Sequence, residues 1–159
     1  MKTITDSGTT VDSKTPRDIK KTVFLAEDDP DDHYLIKAAF EVVDPSVEIV
    51  SFYSGDALVE HLKEKRTKLD LASPCIILLD LNMPNCDGFE TLSMIKTMPE
   101  SCALPVIIYT TSRSDFDFQQ AYQLGASSYI VKPSQYSVIE RVMRAISVYW
   151  FDTVLVNSL

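Results

Sequence analysis

From Thr22 onward, short apolar runs alternate with stretches whose apolar residues recur at helical spacing. "TVFLA" is continuous and rich in strand-forming residues, and the segment after it places Leu35, Ile36, Ala39, Phe40 and Val43 on one helical face. "VEIVSF" predicts a second strand, and "DALVEHLKEK" a helix with Ala57, Leu58, His61 and Leu62 facing inward. "CIILLDL" is apolar until its aspartate, the pattern of a strand covered on both faces. A helix carrying Phe89, Leu92 and Ile95 follows, then the strand "VIIYT" and a helix over roughly 115–124 that Gly125 stops. A short strand, "YIVK", and a helix from about 135 to 150 complete the series.

Five strands alternating with five helices predict a parallel sheet with helices on both faces. Right-handed crossovers restrict the strand orders, and a buried third strand beside the first suits the flavodoxin-like (βα)5 doubly wound α/β fold, order 2-1-3-4-5. In such sheets ligands bind beyond the carboxyl ends of the strands, at the switch point between strands 1 and 3. That rule selects Glu27, Asp28 and Asp29 after strand 1, Asp80 after strand 3, Thr110 and Thr111 after strand 4, and Lys132 and Pro133 after strand 5.

Composition narrows the function. The 159 residues suffice for one domain with a proper core, here 21–150. Residues 1–20, polar and without apolar periodicity, read as a disordered arm, and 151–159 as an apolar C-terminal extension. A net charge of −8 argues against a nucleic-acid partner. Cys75, Cys86 and Cys102 have no metal-type spacing, and His33 and His61 stand far apart. No run approaches the ~20 apolar residues of a membrane span, and the first residues lack the apolar core of a signal peptide, so a cytoplasmic protein without a membrane partner is expected. The last helix carries a wide apolar face of Val138, Ile139, Val142, Met143, Ile146 and Trp150, continued by Phe151, Val154, Leu155 and Val156. Exposed, this surface is an interaction patch; folded back, it is satellite core.

The strand-end residues form a chemical set. Carboxylates converging on one crevice raise one another's pKa, and a hard divalent cation removes the conflict. Asp28 or Asp29, together with Asp80, suits magnesium. Asp80 leaves a rigid strand and is a candidate nucleophile toward a phosphoryl group whose charge the metal screens. Lys132 can pair with a phosphoryl oxygen, and the Thr110 hydroxyl can donate to another. Asp29 and Pro30 also read as a helix start, while Asp31 and Asp32 complement the dipole of its first turn. Asp87 reads as the cap of the third helix, at the end of an Asn85–Gly88 turn.

"EDD" after strand 1, "LLDLNMPNCDG" around Asp80, "YTTS" around Thr110 and "YIVKP" ending at Pro133 together resemble the receiver domain of two-component response regulators, over roughly residues 22–150. The resemblance implies that Asp80 is the phosphoacceptor served by a histidine kinase or histidine phosphotransfer protein. It implies that Asp28 and Asp29 organise Mg2+ (or Mn2+), with the backbone carbonyl of Asn82. It further implies that Thr110 and Lys132 sense the phosphoryl group, that Tyr129 is the aromatic switch, and that Pro133 follows a cis peptide bond. Thr111 departs from the small residue usual there and narrows access to Asp80. The extended apolar ending is similar to that of standalone receivers serving phytochrome-type or hybrid kinases, some of which pair through this region; it implies a homodimer contact through the last helix and tail. Such a protein is a signalling module rather than an enzyme beyond self-phosphorylation and autodephosphorylation.

Two other readings compete. A magnesium-dependent phosphohydrolase with an aspartyl-phosphate intermediate shares the chemistry, but those of the haloacid dehalogenase type carry a second Asp where Asn82 stands here. A nucleotide or flavin module lacks both GxxxxGK[ST] and GxGxxG.

Overall fold

Each strand of the central sheet divides its side chains between two cores. Phe24 and Ala26 face one side and Val23 and Leu25 the other, because successive side chains of a strand point to opposite faces. A computed structural model describes residues 20–64, 73–84 and 86–154. The expected N-terminal arm, save its last residue, and the tail after Val154 lie outside the described residues.

The sheet strands are β1 (Lys21–Ala26), β2 (Val47–Phe52), β3 (Cys75–Leu79), β4 (Val106–Thr110) and β5 (Ser128–Val131). Counting these five alone, the order is 2-1-3-4-5 and every pairing is parallel, as expected. The helices are α1 (Pro30–Val43), α2 (Gly55–Glu64), α3 (Gly88–Thr97), α4 (Asp115–Gln123) and α5 (Tyr136–Ser147). One core holds Leu58, Val59 and Leu62 of α2, Leu92 and Ile95 of α3 and Ala121 of α4. The other holds Ile36, Ala39 and Phe40 of α1 and Ile139, Met143 and Ile146 of α5. β3 and β4 are buried over their whole length, which explains their unbroken apolar sequence.

Several helix faces differ in detail from the periodic reading. On α2, Val59 is buried while Ala57 is exposed, so the inward face is rotated by part of a turn. His61 is half-buried, with its ring 5.5 Å from Phe24 and 4.9 Å from Phe52. The last helix ends at Ser147, and a wider π-type turn, Val148–Thr153, follows it. Trp150 and Phe151 pack against the α1–α5 core, whereas Val148 and Tyr149 are exposed. The apolar ending therefore divides into satellite core and surface. No helix among the described residues is long and apolar enough to cross a membrane.

Two local features hold the frame. Asp44, just past α1, accepts from Ser147 Oγ at 2.5 Å, Lys21 Nζ at 2.9 Å and Ser46 Oγ at 2.6 Å, and Lys21 also reaches Asp152 at 2.8 Å. This knot ties α1, β1, α5 and the π-type turn together at the end of the sheet where the strands begin. Burial opposes the Asp44 charge, but the Ser147, Ser46 and Lys21 contacts outweigh it and hold its pKa down at about 2. At Gly88, the first residue of α3, a Cβ would stand 2.5 Å from Leu81 Cα and 2.6 Å from the Asp80 carbonyl oxygen. Glycine lets the helix start press against the backbone that follows β3.

Because Asp44 ionises below its ordinary value of 3.8, its contribution is complete above about pH 4 and fades as pH falls through 2. Asp44→Asn is expected to cost about 1–2 kcal/mol near neutral pH, with a gap to wild type that narrows on acidification. Urea titrations across pH check it, and a gap that widens in acid contradicts the assignment. Gly88→Ala is expected to destabilise the domain by about 1–3 kcal/mol, because backbone rather than a flexible side chain must yield. An unchanged unfolding midpoint would show that the close approach is easily relieved.

Candidate functional site

The carboxyl ends of β1, β3, β4 and β5 converge, and main-chain bonds continue the sheet past the last strand residues. The Glu27 amide donates to Phe52 O at 3.0 Å, the Asp80 amide to Ala26 O at 3.0 Å and the Lys132 amide to Thr110 O at 2.8 Å. The site residues are thus placed by the sheet itself, without long loops between scaffold and side chain.

Lys132 occupies the centre. Its Nζ donates to Glu27 Oε2 at 2.5 Å, Asp32 Oδ2 at 2.7 Å and Asp80 Oδ2 at 3.0 Å, which uses all three N–H bonds of an ammonium. It also lies 5.9 Å from the centroid of the Tyr109 ring. Burial alone would favour the neutral amine, but the bonds to Asp32 and Glu27 and the field of Asp80 prevail, so Lys132 holds its proton more tightly than an ordinary lysine. Burial pushes Glu27 up to about 7, a rise that Lys132 and the Asp29 amide only partly offset. Burial, then the Asp32 charge, pushes the Tyr109 phenol up to about 12.

Asp80 is buried and held at both oxygens: Oδ2 by Lys132, and Oδ1 by the Asn82 amide at 3.2 Å. One carboxylate oxygen from each of Glu27, Asp28 and Asp80 lies within 4.8 Å of the others. Three hard oxygen donors at this spacing fit a small divalent cation and are poorly suited to a soft metal. Thr110 is fully buried, and its Oγ1 accepts from Asn82 Nδ2 at 3.2 Å and the Ser112 amide at 3.3 Å. Asn82 Nδ2 also reaches Thr111 Oγ1 at 3.3 Å. Ser112 donates through its hydroxyl to Asp117 Oδ2 at 2.6 Å and accepts through its carbonyl from Tyr129 Oη at 3.2 Å. The Tyr129 ring lies 5.5 Å from Phe118 of α4. A continuous chain of polar contacts therefore leads from Thr110 to α4 and β5.

The structure brings together Asp28, Asp80, Thr110 and Lys132, as the strand-end rule expects, with Asn82, which the resemblance adds, bonded to both Asp80 and Thr110. Asp29 is not among them. With φ −81° and ψ 116° it is the N-cap of α1, and its Oδ1 accepts from the Asp31 amide at 2.8 Å. The carboxylate pair beside Asp80 is therefore Glu27 and Asp28, one residue earlier than expected, because β1 ends at Ala26 and the third acidic residue already turns into the helix. The Lys132–Pro133 bond is trans, contrary to expectation, and no cis bond occurs among the described residues. Trans is preferred by ~0.5–1 kcal/mol before proline, and with it the Lys132 amide and ammonium both find their partners. Asp87 caps α3 as expected, accepting from the Phe89 amide at 2.9 Å; Asn85 and the Cys86 side chain lie outside the described residues.

Periodicity assigns Asp32 only a dipole role, and the sequence places Ser112 near the site without showing its contacts to Tyr129 and Asp117. A signal for Asp32 was present: Asp32, Ile36 and Phe40 recur every four residues, which puts a carboxylate on the buried stripe of α1 at its sheet-end tip.

Residues 23–144 match the family model described as response regulator receiver domain. The chain is 33% identical over 145 residues, 91% of its length and 90% of the relative's, to the probable methanogenesis regulatory protein FilR2 of Methanothrix harundinacea. Among solved structures, the phosphorylated cyanobacterial phytochrome response regulator RcpA is 31% identical with a TM-score of 0.76, covering 85% of this chain and 96% of that one. The Mn2+-bound form of response regulator Rcp1, a Synechocystis protein, is 28% identical with a TM-score of 0.71, covering 85% and 97%. With the strand order, the buried aspartate and the lysine at its side already in place, these likenesses settle the assignment: the chain belongs to the response regulator receiver domain family.

Proposed function

We propose that Asp80 accepts a phosphoryl group from a histidine kinase or histidine phosphotransfer protein, and that the resulting charge changes the α4–β5 surface. The observation that carries this reading is the setting of Asp80: a buried carboxylate oriented by the Asn82 amide and Lys132, with Glu27 and Asp28 beside it. In the transfer an Asp80 oxygen forms the new P–O bond as the P–N bond to phosphohistidine breaks, and the electron pair leaves on the imidazole nitrogen. Glu27, Asp28 and Asp80, with the Asn82 backbone carbonyl, would hold magnesium or manganese. Such an ion supplies charge screening for the incoming phosphoryl oxygens. The solved structure of the Mn2+-bound relative supports this choice.

Lys132 answers the charge on the phosphoryl oxygens, and the Thr110 hydroxyl donates to one of them. Drawing Thr110 toward the phosphoryl group breaks its contacts to Asn82 and Ser112, and Ser112 passes the change to Tyr129 and Asp117. Tyr129 is thus the switch residue of a two-state surface biased by phosphate. Thr111, on the Asn82 side, restricts access to Asp80. The domain acts as a cytoplasmic signalling module. The phytochrome and bacteriophytochrome response regulators among its structural neighbours support a phytochrome-type kinase as the phosphate source.

Exposed Tyr149 lines an apolar groove with Ile107, Ile130, Val142 and Trp150, and the adjacent Val148 is exposed as well, which supports a homodimer contact through α5 and the tail.

With acetyl phosphate and magnesium, the protein is expected to gain one hydroxylamine-labile phosphoryl group, read by intact mass, and Asp80→Asn to abolish it. Steady turnover of phosphate esters without an adduct would overturn the reading. Light scattering should give a dimer mass for the chain and a monomer mass after Val148→Glu with Tyr149→Glu; equal masses would sink the dimer.

A further inference from the structure

We propose that Asp32 is a positioning residue that draws the Lys132 ammonium toward α1, favouring cation binding over phosphoryl uptake at Asp80. The inference rests on the phosphoacceptor reading of Asp80 and assigns a regulator to the same site.

Asp32 stands in the first turn of α1, a turn that Asp29 caps and Pro30 begins. Its Oδ2 is 2.7 Å from Lys132 Nζ, between the 2.5 Å of Glu27 and the 3.0 Å of Asp80, so Asp32 holds the ammonium more closely than the phosphoacceptor does. It is absent from the three-carboxylate group of Glu27, Asp28 and Asp80, so it touches the lysine without belonging to the cation set. An ammonium has three N–H bonds, and here all three are engaged by carboxylates. A phosphoryl group on Asp80 replaces one negative charge with roughly −1.5 to −2 and adds oxygens that need donors. Asp32 then competes with those oxygens for Lys132 while its own charge repels them.

Toward a cation the same residue acts in the opposite sense. Of its three N–H bonds Lys132 gives one to Asp32 and so only one each to Glu27 and Asp80, which leaves the second oxygen of each of those carboxylates without an ammonium contact, and the Asp32 charge attracts the ion. Removing that charge should therefore weaken cation binding and strengthen phosphodonor binding. A change that merely loosened the site would weaken both.

The experiment compares wild type, Asp32→Asn and Asp31→Asn in the full chain. Asp31 is an exposed residue of the same turn, so its variant removes an equal charge one position away. Magnesium affinity is measured by calorimetry without phosphodonor. The half-saturating acetyl phosphate concentration is measured separately at saturating magnesium. In Asp32→Asn the magnesium Kd should rise and the half-saturating donor concentration fall, each about three- to tenfold, with clearly smaller changes in Asp31→Asn. Shifts in the same direction, an unchanged magnesium Kd, or equal effects in the two variants would overturn the proposal. Failure of wild type to take up phosphate, with the magnesium shift intact, would instead overturn the phosphoacceptor reading.

Discussion

One ammonium holds the working end of this molecule together. Glu27, Asp28, Asp32 and Asp80 gather beyond the sheet, and like charges so close would force apart the chain segments that carry them or take up protons. Lys132 contacts three of the four and joins β1, α1, β3 and β5 through a single nitrogen. A low-dielectric setting strengthens the attraction and makes removal of either partner costly, since a buried charge would be left uncompensated. The acidic cluster is stable as a site because the lysine comes with it.

The scaffold makes this economical. Backbone bonds from Glu27, Asp80 and Lys132 extend the parallel ladders, so the charged side chains emerge from the most rigid part of the fold. Glycine at 88 lets α3 begin against the Asp80 backbone. At the opposite end, Asp44 and Lys21 play a matching structural part, tying α1 to α5. The two ends use the same kind of interaction for different purposes. Asp44 gathers one lysine and two hydroxyls around a single carboxylate, whereas Lys132 gathers three carboxylates around a single ammonium.

Signalling requires that such a change travel. Thr110 is buried beneath the site, and Ser112 contacts it on one side and Tyr129 and Asp117 on the other. The path is short because β4 and β5 are neighbours and α4 begins five residues after Thr110. A displacement at Thr110 thus meets the aromatic surface of Phe118 and Tyr129 with few intervening contacts.

The fold was legible in the residues because each strand and helix repeats at its own period, and the strand-end rule then named Asp80, Thr110 and Lys132 without coordinates. Capping chemistry was equally local: Asp29, Pro30 and Asp87 carry their roles in neighbouring residues. What sequence alone did not resolve was which two of three consecutive acids stand beside Asp80, a one-residue question that the structure answers with Glu27 and Asp28 while Asp29 serves the helix. The partnership of Asp32 with a lysine 100 residues away, and the division of the apolar ending into partly buried Trp150 and Phe151 against exposed Val148 and Tyr149, were likewise decided by tertiary structure. Periodicity reports which face of an element is apolar. Only the packing of one element against another determines which charges meet.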